Sequence, residues 1–103
     1  MYYKVEISAE TGDQADAILN SLLEKQLVTG GQLIAAPARF LWKGDMVDMD
    51  YITITSYTTD THKDAIVEDV RQTTSEEVPM ITFVAISDLN SELRDWIDDT
   101  LGG

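Results

Sequence analysis

Gln32-Leu33-Ile34-Ala35-Ala36-Pro37-Ala38-Arg39-Phe40-Leu41-Trp42, followed by Lys43-Gly44-Asp45 and then by Tyr51-Ile52-Thr53-Ile54-Thr55-Ser56-Tyr57, decides how this chain folds. The first run reads as one long strand. Pro37 near its middle cannot donate to a sheet ladder, so the strand belongs at a sheet edge or carries a bulge there. Lys43-Gly44-Asp45 reads as a turn. The second run, β-branched and aromatic, anchors a strand from about Val47 to Thr58. Together they predict a hairpin longer than a compact monomer of 103 residues needs.

Working outward, Tyr3, Val5 and Ile7 alternate with Tyr2, Lys4 and Glu6, which predicts a strand over 2–8 with one apolar face. Thr11 with Gln14 three residues later reads as a capping box. Ala15, Ile18, Leu19, Leu22, Leu23 and Leu27 then recur at helical spacing, so a helix is expected to about Val28, closed by Gly30-Gly31. On the far side of the hairpin, Thr61 is placed to cap a second helix with Asp64 in its first turn. Ala65, Ile66, Val67 and Val70 form its apolar face. Thr73 to Glu77 reads as a polar linker. Val78 to Ile86, with Pro79 at its start, is apolar enough for an interior strand. Leu89, Leu93, Trp96, Ile97 and Leu101 share one face of a C-terminal helix that Gly102-Gly103 closes.

The element order is β-α-β-β-α-β plus a terminal helix, two βαβ halves in an α+β, ferredoxin-like pattern. Right-handed crossovers put both main helices on one face of a four-stranded antiparallel sheet. Residues 1–103 are expected to form one domain, with no linker or repeat between halves.

Nineteen acidic residues against seven basic ones give a formal charge of −12. Phosphates are repelled by such a surface, which argues against nucleic acid and anionic membrane as partners. It suits cations or basic partners, or simply solubility. No apolar run reaches the roughly 20 residues that span a bilayer. Met1-Tyr2-Tyr3-Lys4-Val5-Glu6 has neither the basic nor the apolar region of an export signal, so a cytoplasmic location is expected. Without cysteine, thiol chemistry, disulfides and thiolate metal sites are excluded.

Several stretches resemble the CutA (divalent cation tolerance) family. Leu22-Leu23-Glu24-Lys25-Gln26-Leu27-Val28 is similar to that family's first helix end, and Phe40-Leu41-Trp42-Lys43-Gly44 to its aromatic-x-tryptophan-x-glycine hairpin tip. Asp45 to Asp50 stands where the family has an acidic run. Tyr51 to Thr59 resembles its threonine-ending strand, Glu76-Glu77-Val78-Pro79-Met80 its tyrosine-glutamate-x-proline-glutamate stretch, and Leu93-Arg94-Asp95-Trp96-Ile97 its C-terminal segment. The matches run in order from about residue 15 to 100. The resemblance implies a tightly packed homotrimer of ferredoxin-like subunits, related in shape to PII signalling proteins, whose hairpins pair between subunits. Phe40, Trp42 and Tyr51 then fall at the subunit contact. It implies a non-enzymatic protein involved in tolerance of divalent metal ions, copper or others. Val28-Thr29-Gly30-Gly31-Gln32 replaces the family's cysteine-bearing stretch, Thr74-Ser75 its histidine-proline pair, and Met80 a usual glutamate.

Candidate metal ligands are Asp48 and Asp50, which face one side of a strand, and Glu76 and Glu77 in the linker before the last strand. Carboxylates suit a hard divalent ion, whereas copper prefers sulfur or imidazole. Sulfur is offered only by Met1, Met46, Met49 and Met80, of which Met46 and Met49 flank Asp48. The plainer reading is a solvated acidic rim. Arg39 and Trp42 are candidates for a ligand cleft, since a lone arginine can hold an anion; structural pairing of Arg39 is the simpler role. By analogy with PII proteins, an alternative function is a small-ligand or signalling module with sites between subunits. Trp96 is expected to pack onto the core. His62, the one histidine, has no serine in a nucleophile-elbow context, and it reads as an exposed first-turn residue. Gly30-Gly31 follows a helix instead of opening one and so is no phosphate loop. No catalytic residue is identified.

Overall fold

The computed structural model describes residues 1–102, so Gly103, half of the expected C-terminal stop, lies outside the described residues. The elements are β1 (Tyr2–Ala9), α1 (Gly12–Glu24), β2 (Gln32–Trp42), β3 (Asp45–Thr59), a 3-10 turn (Asp60–His62), α2 (Lys63–Thr73), β4 (Ile81–Ile86) and α3 (Ser91–Leu101). All strand pairs are antiparallel, in the order β2-β3-β1-β4. This is the expected ferredoxin-like arrangement, in which each βαβ unit brackets a strand of the other half. Pro37 lies on the outer strand β2, opposite Asp50, and so leaves the ladder to β3 intact.

Lys43 and Gly44 alone form the hairpin loop, with φ of +49° and +87°. Two left-handed residues match the twist of the flanking strands, and glycine fills the second position without strain. Asp45 is already paired with Trp42, so the turn is one residue shorter than expected. Pairing between β1 and β3 covers only Ile52 to Thr59, so Asp45 to Tyr51 bond to β2 alone. The distal hairpin therefore projects beyond the rest of the sheet.

The core lies between the sheet and the pair α1 and α2. Val5, Ile7 and Ala9 of β1, Ile54 of β3, Ala15, Ile18 and Leu22 of α1, and Ile66 and Val70 of α2 form one buried cluster. Asp69 of α2 is also buried there. Its Oδ1 accepts from Ser21 Oγ of α1 (3.1 Å) and from the ammonium of Lys25, the residue that follows α1, while its Oδ2 has no partner among the described residues.

Five local expectations need correction. First, α1 stops at Glu24, well before the glycine pair: Leu27 N–H donates to Leu22 O (3.0 Å), Gln26 N–H donates to Leu23 O (3.0 Å), and Gln26 takes φ +54°. This is a Schellman closure with glutamine where glycine is usual. Leu27 and Val28 extend the apolar pattern because the loop itself enters the core. Second, Thr11 Oγ1 caps Gln14 N–H (3.1 Å), but the Gln14 side chain does not return the bond; it bridges Thr73 O (3.0 Å) and Ser75 N–H (2.9 Å) instead. Third, Thr61 does not cap α2, because the 3-10 turn occupies that position. Fourth, β4 begins at Ile81 and is an edge strand. Its apolar residues serve two faces: Phe83 packs toward the core, while Val84 is 52% exposed. Fifth, Trp96 is 48% exposed, and the residues α3 buries are Ile97 and Leu101. The Tyr2 hydroxyl reaches both oxygens of Asp98 (2.8 and 3.0 Å), holding α3 on the sheet face opposite α1 and α2.

Candidate functional site

A concavity of about 710 Å³ lies between the projecting hairpin and the linker that precedes β4. Strand alternation builds it. Val47, Met49 and Tyr51 of β3 and Ala36, Ala38 and Phe40 of β2 point to the side away from α1 and α2. Phe40 and Tyr51 meet edge to face, with ring centroids 5.8 Å apart. Val78 and Met80 of the linker close the other wall, and Glu10, Glu76 and Glu77 contribute carboxylates. The groove is an apolar, aromatic trough with acidic groups along it.

Ser8 fixes the linker. Its buried Oγ donates to Glu76 Oε2 (2.9 Å) and accepts from Met80 N–H (2.9 Å), while Ser8 N–H donates to Met80 O (3.0 Å). Neither Ser8 nor Glu10 stands out in the sequence. Ser8 continues the polar side of the β1 alternation, and only the fold brings it to a residue 68 positions away. Partial burial raises the Glu76 carboxyl above its ordinary value; the Ser8 hydrogen bond opposes this and the nearby Glu10 charge adds to it. A carboxyl with a raised folded-state value contributes stability when protonated, and that contribution is lost as pH rises through the folded value. Glu76→Gln, which keeps an acceptor for Ser8 and removes the charge, is expected to stabilise the protein at pH 7. Urea midpoints of the two proteins should draw together as pH falls into the carboxylate range. An unchanged gap would contradict the burial of charge at this position.

Of the candidate residues, the groove collects Phe40, Trp42, Tyr51, Glu76 and Glu77; Arg39 borders it, but its side chain turns to the other face of the hairpin to meet Asp48. Asp48 and Asp50 project from the other face of β3, opposite Arg39 and Pro37, and do not line it. Arg39 Nε donates to Asp48 Oδ1 (2.6 Å) in an exposed pair, and Lys43 Nζ lies 3.2 Å from Glu77 Oε2. Exposed pairs of this kind contribute at most about 1 kcal/mol. His62 is half-buried, with Nε2 3.3 Å from Leu101 O, and so braces the end of α3 away from the candidate carboxylates. Among the described residues, no three histidine or carboxylate side chains are grouped to hold a metal ion. One chain thus offers the two carboxylates of Asp48 and Asp50 together, short of the six to eight oxygens a calcium-like ion takes. Among the described residues, no helix is long and apolar enough to cross a membrane.

Comparison with known proteins accounts for the whole fold. A family model described as CutA1 divalent ion tolerance protein matches residues 4–100. The structure is similar to that of the periplasmic divalent cation tolerance protein CutA from Archaeoglobus fulgidus, with 25% identity, 98% of this chain and 99% of that chain covered, and a TM-score of 0.93. It is similar to the divalent cation tolerance protein Cut A1 from Thermus thermophilus, with 23% identity, 97% and 98% covered, and a TM-score of 0.91. The CutA1 structure from Oryza sativa has 15% identity, 96% and 92% covered, and a TM-score of 0.90. Among curated proteins, none matches the sequence.

Proposed function

We propose, from the premise that the chain belongs to the CutA1 divalent ion tolerance family, that it works as a non-enzymatic homotrimer in the response to divalent metal ions, copper among them. The observation that carries the assembly is the projecting hairpin. Among the described residues, Asp45 to Tyr51 have no partner strand other than β2, and Leu33, Ile34, Leu41 and Met46 on the hairpin are 42%, 49%, 76% and 69% exposed. So much apolar surface on an open edge strand favours association over solvation. Phe40, Trp42 and Tyr51 are then contact residues between subunits, and the aromatic trough is filled by a neighbouring copy.

The metal role rests on the family and on the net charge of −12, which draws cations. Because a single chain lacks a complete ligand set, the ion is met between chains, with Asp48 and Asp50 of one copy joined by donors such as Glu76 or Glu77 of another. Two measurements test this. Light scattering should give about three times the 11.5 kDa chain mass; a monomer would overturn the assembly. Calorimetric titration with copper and zinc should show saturable binding that Asp48→Asn with Asp50→Asn weakens about tenfold or more. Binding no stronger than that of an unrelated acidic protein would remove the metal role.

A small-ligand module with Arg39 and Trp42 in its cleft is the second reading, favoured by the size of the trough. The charge of Arg39 is already engaged by Asp48, which ranks this reading below the first. A thermal-shift screen with nucleotides and organic anions separates the two, since only a ligand of the folded state raises the melting temperature.

A further inference from the structure

A second, smaller cavity of about 300 Å³ lies apart from the trough, where the loop before β2 passes α3. That volume is at the lower end of small-molecule sites. Lys4 and Tyr57 are directly paired across β1 and β3, and Thr55 is two residues along β3 on the same face. These three line the cavity with Thr29, Gly30 and the indole of Trp96. The burial of Ile97 and the Asp98 bond to Tyr2, one and two residues further along, fix the turn of α3 that carries the tryptophan.

Three features point to an occupant. Lys4 is the one cationic residue lining the cavity, and it makes no ion pair among the described residues; Lys25, Arg39, Lys43 and Arg94 each have a carboxylate partner, and Lys63 and Arg71, which have none, do not line the cavity. The nearest acid on its strand face, Glu6, does not line the cavity. Trp96 is half-exposed although it stands beside a recess, so a flat partner gains area on its ring. Gly30 has no left-handed φ, and a Cβ there would meet only Trp96 Cη2, at 3.9 Å. Neither backbone nor packing requires glycine at this position; its effect is to leave the recess open. Gly31, by contrast, is required by packing, since a Cβ would lie 2.8 Å from Leu19 Cδ1.

We propose that this cavity binds a small planar carboxylate, its ring on the Trp96 indole and its anion on the Lys4 ammonium with help from the hydroxyls of Thr29, Thr55 and Tyr57. An ammonium with several hydroxyl donors is the chemistry that holds a carboxylate, and in a chain of charge −12 an anion binds only where a cation is locally unspent. The site is independent of the metal reading, sharing no residue with it.

The test uses the full chain, with the Trp96 indole N–H resonance assigned by Trp96→Phe. Benzoate is titrated against its neutral analogue benzamide. Benzoate should shift the Trp96 signal saturably below about 1 mM, with benzamide about tenfold weaker, because the charge-assisted contact is lost. Lys4→Met should bring benzoate down to the benzamide level, and Gly30→Val should abolish both responses. No saturable shift by about 10 mM, equal binding of the two probes, or an unaffected Lys4→Met would each overturn the proposal. Lys4 is exposed and on a strand face, so that variant keeps the fold even if Gly30→Val does not.

Discussion

Ile18→Ala is expected to lower the unfolding free energy by about 2–5 kcal/mol, the range for emptying a fully buried branched site. Ile18 is 0% exposed and sits mid-way along α1 among Ala15, Leu22, Val5, Ile7 and Ile66. Helix α1 is clamped to the sheet from both ends: Thr11 caps its start, and the Leu22–Leu27 closure folds the following loop back into the same core. The helix cannot slide to refill the space, so the cavity term stays large. Small domains carry about 5–15 kcal/mol in total, so the variant stands near the limit of folding. Urea unfolding at a fixed protein concentration reads the effect, since self-association adds a concentration-dependent share. A loss under about 1 kcal/mol would show that the α1 packing is looser than described.

The second large effect comes from Lys25→Met, expected to cost about 3 kcal/mol although Lys25 is more than half exposed. The cost arises at Asp69, which is 4% exposed and would keep only the Ser21 hydroxyl as a donor. A charge left buried without its counter-ion is far more costly than the loss of a surface pair. The distinguishing measurement is the double variant Lys25→Met with Asp69→Leu. Removing both charges also removes the unpartnered Asp69 Oδ2, so the double variant should regain most of the loss and unfold near the parent. Additive losses would mean that Asp69 contributes through packing, and that the pair is not a buried electrostatic clamp between α1 and α2.

These two positions differ in how far sequence alone reveals them. Ile18 belongs to an apolar series at helical spacing, and its burial follows from the pattern. Asp69 looks like any surface acid, lying between Glu68 and Val70 in a polar helix. It is buried because α2 turns the face of Ile66, Asp69 and Val70 onto α1, and the one lysine that answers it is 44 residues away. The end of α1 is illegible for a related reason. Glycine is the usual left-handed residue, so Gly30-Gly31 carries the local stop signal, while Gln26 accepts the strained φ in order to bring Leu27 back to the core.

The candidate carboxylates divide in the same way. That Asp48 and Asp50 share a strand face follows from period two and is legible. That Glu76 and Glu77 open onto the opposite face follows from the linker held by Ser8, which no local pattern encodes. The Lys4 cavity is further from sequence still, since its wall needs β1, β3, the Gly30 loop and α3 at once.

The long hairpin was determined by the sequence itself: alternation, a turn at Lys43-Gly44, the proline that calls for an edge or a bulge and the βαββαβ order all arise from backbone sterics within a few residues, while the exact turn length came from the strand register. Which residues lost their solvent was decided only by the tertiary structure. Burial of Asp69, exposure of Trp96, edge placement of β4 and separation of the acidic residues depend on what packs opposite each side chain. Those neighbours come from distant segments, and the energies that select them belong to contacts the linear order does not contain.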